Sequence, residues 1–151
     1  MKKYLFPLLA FFAMVLVSCD KSDPDARDAF VGTYVVNAQL DYTYSAQGKQ
    51  ETGSMPLQGK VTVSKSNDEK GVLISGDIYC SGTVEGDMLQ IEPQHFRRAM
   101  MQESVDMDIT FEPAKLVDNT LKISGKATGS ATVSGMKGTF DGTISAVATK
   151  Q

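Results

Sequence analysis

Apolar and polar residues alternate with a period of two along much of this chain. In VDMDITFE, the apolar set Val105, Met107, Ile109 and Phe111 alternates with Asp106, Asp108, Thr110 and Glu112. Successive side chains of a strand point to opposite faces, so the pattern predicts a strand buried on one side and wet on the other. LKISGKA repeats it, with Leu121, Ile123 and Ala127 opposite Lys122, Ser124 and Lys126, and KVTVS turns Val61 and Val63 inward. Ala38, Leu40, Tyr42 and Tyr44 alternate with Gln39, Asp41 and Thr43 in a strand that begins near Phe30. Between the runs stand Gln47-Gly48, Asn67-Asp68, Ser81-Gly82, Glu85-Gly86-Asp87, Asp118-Asn119 and Ser134-Gly135. These residue types tolerate positive φ and suit hairpin turns, although a glycine inside a run also suits a bulge or bend.

The runs predict about eight strands, near 30–45, 52–65, 70–76, 78–85, 87–96, 103–116, 119–129 and 131–149. Connections this short join antiparallel neighbours, because a parallel pair needs a long crossover. The expected fold class is all-β, an up-and-down barrel in one domain over 29–151, with a β-sandwich as the alternative; either architecture covers the edges of a sheet this size. The segment PQHFRRAMMQES, 93–104, mixes signals. Arg97 to Gln102 are good helix formers, but the flanks read as strand, so a strand end followed by a connection is expected there.

The N-terminus breaks the alternation. Met1-Lys2-Lys3 carries positive charge, and Tyr4 to Val17 is uncharged and mostly apolar. As a helix this run covers roughly 20 Å, against about 30 Å of bilayer hydrocarbon, and Pro7 weakens it further. It has the layout of a secretory leader. It ends in Leu16-Val17-Ser18-Cys19, which resembles the bacterial lipobox: Leu three residues before a Cys and a small residue directly before it. The resemblance implies that residues 1–18 are a lipoprotein signal peptide, that the Cys19 thiol takes a diacylglyceryl group, and that the new amine is acylated. Two or three acyl chains anchor stably where one is marginal. The implied partner of Cys19 is thus a membrane, and Cys80 is left unpaired, so the even cysteine count implies no disulfide.

Loss of residues 1–18 removes Lys2 and Lys3, leaving 13 Lys and Arg against 18 Asp and Glu, a formal −5 in place of −3. An acidic chain without a dense basic cluster is a poor match to nucleic acid. Residues 19–28, with Asp20, Asp23, Asp25 and Asp28, are expected to form an acidic flexible tether, of which Asp25 to Ala29 also suits a short helical turn. Acidic residues after the Cys resemble the export signal of surface lipoproteins in Gram-negative anaerobes, whereas in enteric bacteria Asp directly after the Cys favours inner-membrane retention. Asp23-Pro24-Asp25 tilts the expected address to the outer membrane, with periplasmic or outward orientation left open.

Catalytic sets are scarce. His95 is the sole His, and no Gly-x-Ser-x-Gly elbow accompanies it. Cys80 reads as a small buried hydrophobe rather than a nucleophile paired with His95. One His and one free Cys do not make a zinc site, no calcium loop is present, and Asp106 and Asp108 share the wet face of their strand. No enzyme, no metal and no cofactor is expected.

Asp25 to Ala29 followed by Phe30-Val31-Gly32-Thr33-Tyr34 resembles the start of a lipocalin or calycin-type barrel, where a short helix closes one end and Gly-x-aromatic opens the first strand. The chain departs from that family in having Tyr34 for Trp, no mid-chain Thr-Asp-Tyr motif and no Arg on the last strand. The resemblance implies a monomeric carrier of a small hydrophobic or amphiphilic ligand, lined by Leu40, Tyr42, Ile74, Ile78, Met107, Ile109, Phe111, Ile123 and Phe140, with Val61, Val63 and Ile91 also inward. An eight-stranded barrel is just wide enough to be filled by side chains or to hold one small ligand. The small residues of the late strands, Gly125, Ala127, Gly129, Ala131, Gly135, Gly138, Gly142 and Ala146, allow either tight curvature or free room. Met100-Met101 beside His95, Phe96, Arg97 and Arg98 is a second candidate, fit for an anionic amphiphile. The alternative function is a non-enzymatic structural or interaction module of an envelope complex, binding protein or glycan.

Overall fold

The computed structural model describes residues 24–100 and 103–151, with only the backbone of Met100. The leader, Cys19 and Met101 lie outside the described residues. A short 3-10 helix, Ala26–Ala29, precedes β1 (Gly32–Ala46), β2 (Lys49–Lys65), β3 (Gly71–Gly76), β4 (Cys80–Glu85), β5 (Met88–Ile91), β6 (Gln94–Met100), β7 (Glu103–Phe111), β8 (Ala114–Val117), β9 (Thr120–Val133) and β10 (Met136–Lys150). Every pairing is antiparallel. The order is β10-β1-β2-β3-β4-β5-β8-β9-β7-β6, and β10 also pairs with β9. That last pairing closes a ring and makes the fold a barrel.

Two prolines explain why ten segments form a ring of eight strands. β5 and β6 are halves of one strand interrupted at Glu92-Pro93, and β7 and β8 are halves of the next, interrupted at Glu112-Pro113. Proline has no N–H to give to a ladder, so each break falls where pairing lapses between these neighbours. The Gln90 side-chain amide fills the gap, donating to the carbonyls of Ile91 at 2.9 Å and Phe111 at 3.1 Å. Joined in this way, the strands follow an up-and-down order close to the spans the alternation predicts.

Three local expectations are corrected. Segment 94–100 is strand throughout and not a strand end leading into a connection. Cross-strand pairs of His95 with Asp108, Phe96 with Met107 and Arg97 with Asp106 outweigh the helix propensity of its residues. Ile78 lies outside β4, in the connection after β3, and is 56% exposed. Gly76, at φ 146°, turns the chain there, so the alternation with Cys80 does not extend back to Ile78. Finally, of the expected flexible tether, Asp25–Asp28 belong to the fold. Asp25 caps the 3-10 helix and, with Asp28, binds Lys65 at 2.9 and 2.7 Å. The Arg27 guanidinium donates to the carbonyls of Ser66, Asp68 and Gly71 in the β2–β3 turn. Arg27, then Lys65, hold the Asp25 carboxyl well below the usual carboxylate range.

This helix seals one end of the barrel. Beneath it Phe30 and Tyr34 are fully buried, and the Tyr34 hydroxyl donates to the Phe30 carbonyl at 2.8 Å. Val61, Val63, Val72, Ile74, Cys80, Val84, Leu89, Ile91, Ala114, Leu121 and Ala148 complete a continuous core at that end. Burial raises the Cys80 thiol pKa, which suits an inert apolar filler. No helix among the described residues is long and apolar enough to cross a membrane.

Candidate functional site

The wall of the barrel is uneven. β3 pairs with β2 only over Val61–Lys65, and β3 and β4 are far shorter than β1, β2, β9 and β10. Above that level β2, β1, β10, β9, β7 and β6 continue as an incomplete wall. Side-chain alternation is unbroken along these strands, so the inner face of the closed half extends upward as the face of an open trough. Its cross-strand rows can be read from the register. Phe96, Met107, Gly129, Phe140, Tyr44 and Glu51 form one; Gln94, Ile109, Ala127, Gly142, Tyr42 and Gly53 form the next. Toward the sealed end follow Phe111, Gly125, Ile144, Leu40 and Met55, then Ile123, Ala146, Ala38 and Leu57.

Glycines in these rows let the trough wall pack on itself. A Cβ on Gly53 would strike the Tyr42 ring; one on Gly125 would meet the Thr110 carbonyl oxygen at 2.7 Å and the Phe111 ring at 3.0 Å; and one on Gly138, a row nearer the β9–β10 tip, would meet the Ser45 carbonyl oxygen and the Tyr44 ring. On Gly142 it would meet Leu40 at 2.9 Å. Large side chains thus lie flat over bare backbone, and the small residues of β9 and β10 serve close packing. Tyr42 stacks on Phe140, with ring centroids 5.5 Å apart and planes at 19°.

The predicted lining set is divided by this arrangement. Ile74 sits buried in the solid core with Val61, Val63 and Ile91, and Phe111 and Ile123 pack against that core. Leu40 is buried under the trough floor, while Tyr42, Met107, Ile109 and Phe140 are half-buried on its surface. Ile78 stands outside the inner face, beside Tyr79, on a connection pinned to β2 by Asp77, whose carboxylate accepts from the Lys60 N–H at 2.9 Å. Further exposed apolar residues complete the trough: Phe96 on β6, from the second candidate group, and Met55 and Leu57 on β2 with Val133 and Met136 at the β9–β10 tip, which the sequence did not single out. Met55 and Leu57 lie on one strand and alternate about Pro56 in GSMPLQG, a run whose glycines and proline mask its strand character.

The outer face is mostly polar, with Val117 and Val147 as exposed apolar exceptions. His95 lies between two carboxylates, with Nδ1 2.8 Å from Asp108 and Nε2 3.5 Å from Asp106, and Arg97 is 3.6 Å from Asp106. Cys80 faces the core and His95 faces water, so they are not a nucleophile and its base. The hydrogen bond to Asp108, ahead of the Asp106 and Asp108 charges, raises the His95 pKa above 6.5. A His pKa raised by folding adds stability fully present below the unfolded value and lost as pH rises through the folded midpoint. Nuclear magnetic resonance titration is expected to place the His95 midpoint above 6.5, and Asp108→Asn to move it down; an unchanged midpoint in that variant would refute the pairing. Among the described residues no three His, Cys, Asp or Glu side chains are grouped to hold a metal ion. Two surface depressions mix polar and apolar lining, one over Asp41, Tyr42, Thr43, Lys126, Thr128 and Asp141, the other beside Arg27, Lys70, Val84 and Glu85.

No family model matches the chain, and no curated protein matches it. One solved structure is similar to it. This is the crystal structure of ywiB protein from Bacillus subtilis, 9% identical, covering 75% of this chain and 92% of that one, with a TM-score of 0.27. A likeness at that level carries no argument about activity.

Proposed function

We propose that this protein is a lipocalin-like, lipid-anchored lipoprotein of the outer membrane that holds a small hydrophobic or amphiphilic ligand in its open trough. The observation that carries the reading is the contrast between the two halves of one inner face. The sealed half is filled by its own side chains, whereas Met55 and Leu57 are each 45% exposed and Phe96 is 42% exposed on the walls of the open half. Apolar side chains on a continuous inward face gain from being covered, and an apolar molecule in the trough covers them. The lipobox over Leu16-Val17-Ser18-Cys19 supports the anchor.

The test is binding of anilinonaphthalene sulfonate to the soluble form beginning near Asp23. Leu57→Arg is expected to weaken binding by about fivefold or more, on the order of 1 kcal/mol for a half-covered Leu side chain, without loss of the β-type circular dichroism spectrum. Absence of binding by the parent protein, or equal binding by the variant, would remove the trough as the site.

A second reading, an interaction module of an envelope complex, is favoured by the edges of β2 over 49–60 and of β6, which are free of a further strand among the described residues. Pro56 and the Arg97-Arg98 pair blunt those edges against strand addition, so the ligand reading is preferred. Native mass spectrometry separates the two: small-molecule mass supports the first, a bound protein chain the second.

A further inference from the structure

The chain enters the barrel at the pole opposite the trough. Asp25 and Asp28 are clamped by Lys65 at the end of β2, and Arg27 is tied to the β2–β3 turn. Lys150, at the end of β10, donates to the Ala29 carbonyl at 3.0 Å and closes the same pole. Asp25 therefore joins the barrel at its sealed end. Leu57 lies eight residues from Lys65 along β2, about 26 Å of strand at roughly 3.3 Å per residue. Tilted by about 40° from the barrel axis, that path still lifts the trough wall about 20 Å above the sealed end. The stretch from Cys19 to Asp25 is only six residues, with a maximal reach of about 20 Å.

We infer that the trough faces away from the bilayer in which the protein is anchored, so that its occupant is a dispersed amphiphile arriving from the aqueous side and not a lipid drawn from the anchoring membrane. The inference rests on the proposed Cys19 anchor and trough. The sealed barrel half stands between the bilayer and the mouth, and the short, clamped connection leaves little slack for the molecule to turn over. Met55, Leu57 and Phe96 are then open to water in the anchored state, and the anchor and the binding surface do not compete for the same lipid.

The chain contains no Trp, so single Trp reporters can be placed at either pole. Leu57→Trp marks the trough, and Val117→Trp marks the sealed end, where Val117 pairs with Thr120 and is 54% exposed. The acylated protein is reconstituted into phosphatidylcholine vesicles that carry a dansyl-headgroup lipid. Energy transfer to the dansyl group is expected to be severalfold greater from V117W than from L57W, and acrylamide in the water should quench L57W equally in anchored and soluble protein. Equal or reversed transfer, or protection of L57W from acrylamide on anchoring, would overturn the inference. Intact mass of the mature protein tests the anchor separately. If it shows no diacylglyceryl addition, the anchor reading fails, and the pole arrangement is measured on protein beginning at Cys19 and coupled there to a maleimide phospholipid. Cys80 is buried and does not compete for that label.

Discussion

Tyr34→Ala is expected to destabilise the barrel by about 3–5 kcal/mol, the range for emptying a fully buried aromatic site, read from urea denaturation of the soluble form. Tyr34 is 0% exposed and sits where the 3-10 helix, β1 and β2 meet, so no neighbour can reach across the void without moving the seal. Tyr34→Phe isolates the polar part of the effect. It keeps the ring but takes the 2.8 Å hydroxyl donor from the Phe30 carbonyl, for about 1–2 kcal/mol. Tyr79→Ala serves as the control, because Tyr79 is 74% exposed on the β3–β4 connection and its truncation should stay within about 0.5 kcal/mol. If Tyr34→Ala were as mild as Tyr79→Ala, the sealed end would not be the core.

The arrangement of sealed end and open trough explains which features the sequence revealed and which it hid. Alternation in 105–111 and 121–127 located strands and faces correctly, because one side of each is wet and the pattern is local. The 3-10 turn at Asp25 was also legible, since an acidic cap ahead of Ala-Arg-Asp-Ala is a short-range signal. Relative height along the barrel was not legible. Ile74 and Met107 carry the same inward pattern, yet one fills the core and the other lines the trough, because β3 is short and β7 belongs to the taller wall. That difference depends on how far each neighbour extends, a non-local fact. The His95–Asp106–Asp108 group was hidden for a similar reason, since its members meet only through the β6–β7 register. The glycines of β9 and β10 left two readings open, and the Tyr44 and Phe111 rings, the Leu40 side chain and the backbone of the neighbouring strands lying against them decide for close packing.

That packing leads to the second large effect, expected for Gly129→Ala. Gly129 stands opposite Met107 in the β7–β9 ladder, and a Cβ there would run into the Asp106 carbonyl oxygen and approach the Met107 Cα to 2.6 Å. The obstacle is backbone, which cannot swing aside as a side chain can, so β7 must part from β9 or the sheet must lose its local curvature. A cost of about 3 kcal/mol, the upper range for overpacking, is expected. Gly135→Ala provides the contrast. It has φ 78° in the β9–β10 turn with nothing near its missing Cβ, and it should cost about 1–2 kcal/mol through left-handed strain alone. Hydrogen exchange distinguishes the two mechanisms. Gly129→Ala should strip protection from β7 amides along the β9 ladder and weaken anilinonaphthalene sulfonate binding, because Met107 and Phe140 share its row of the trough. Gly135→Ala should affect only turn amides. Intact β7 protection in Gly129→Ala would mean that the small residues of β9 leave free room, and the trough would then be deeper than its packing implies.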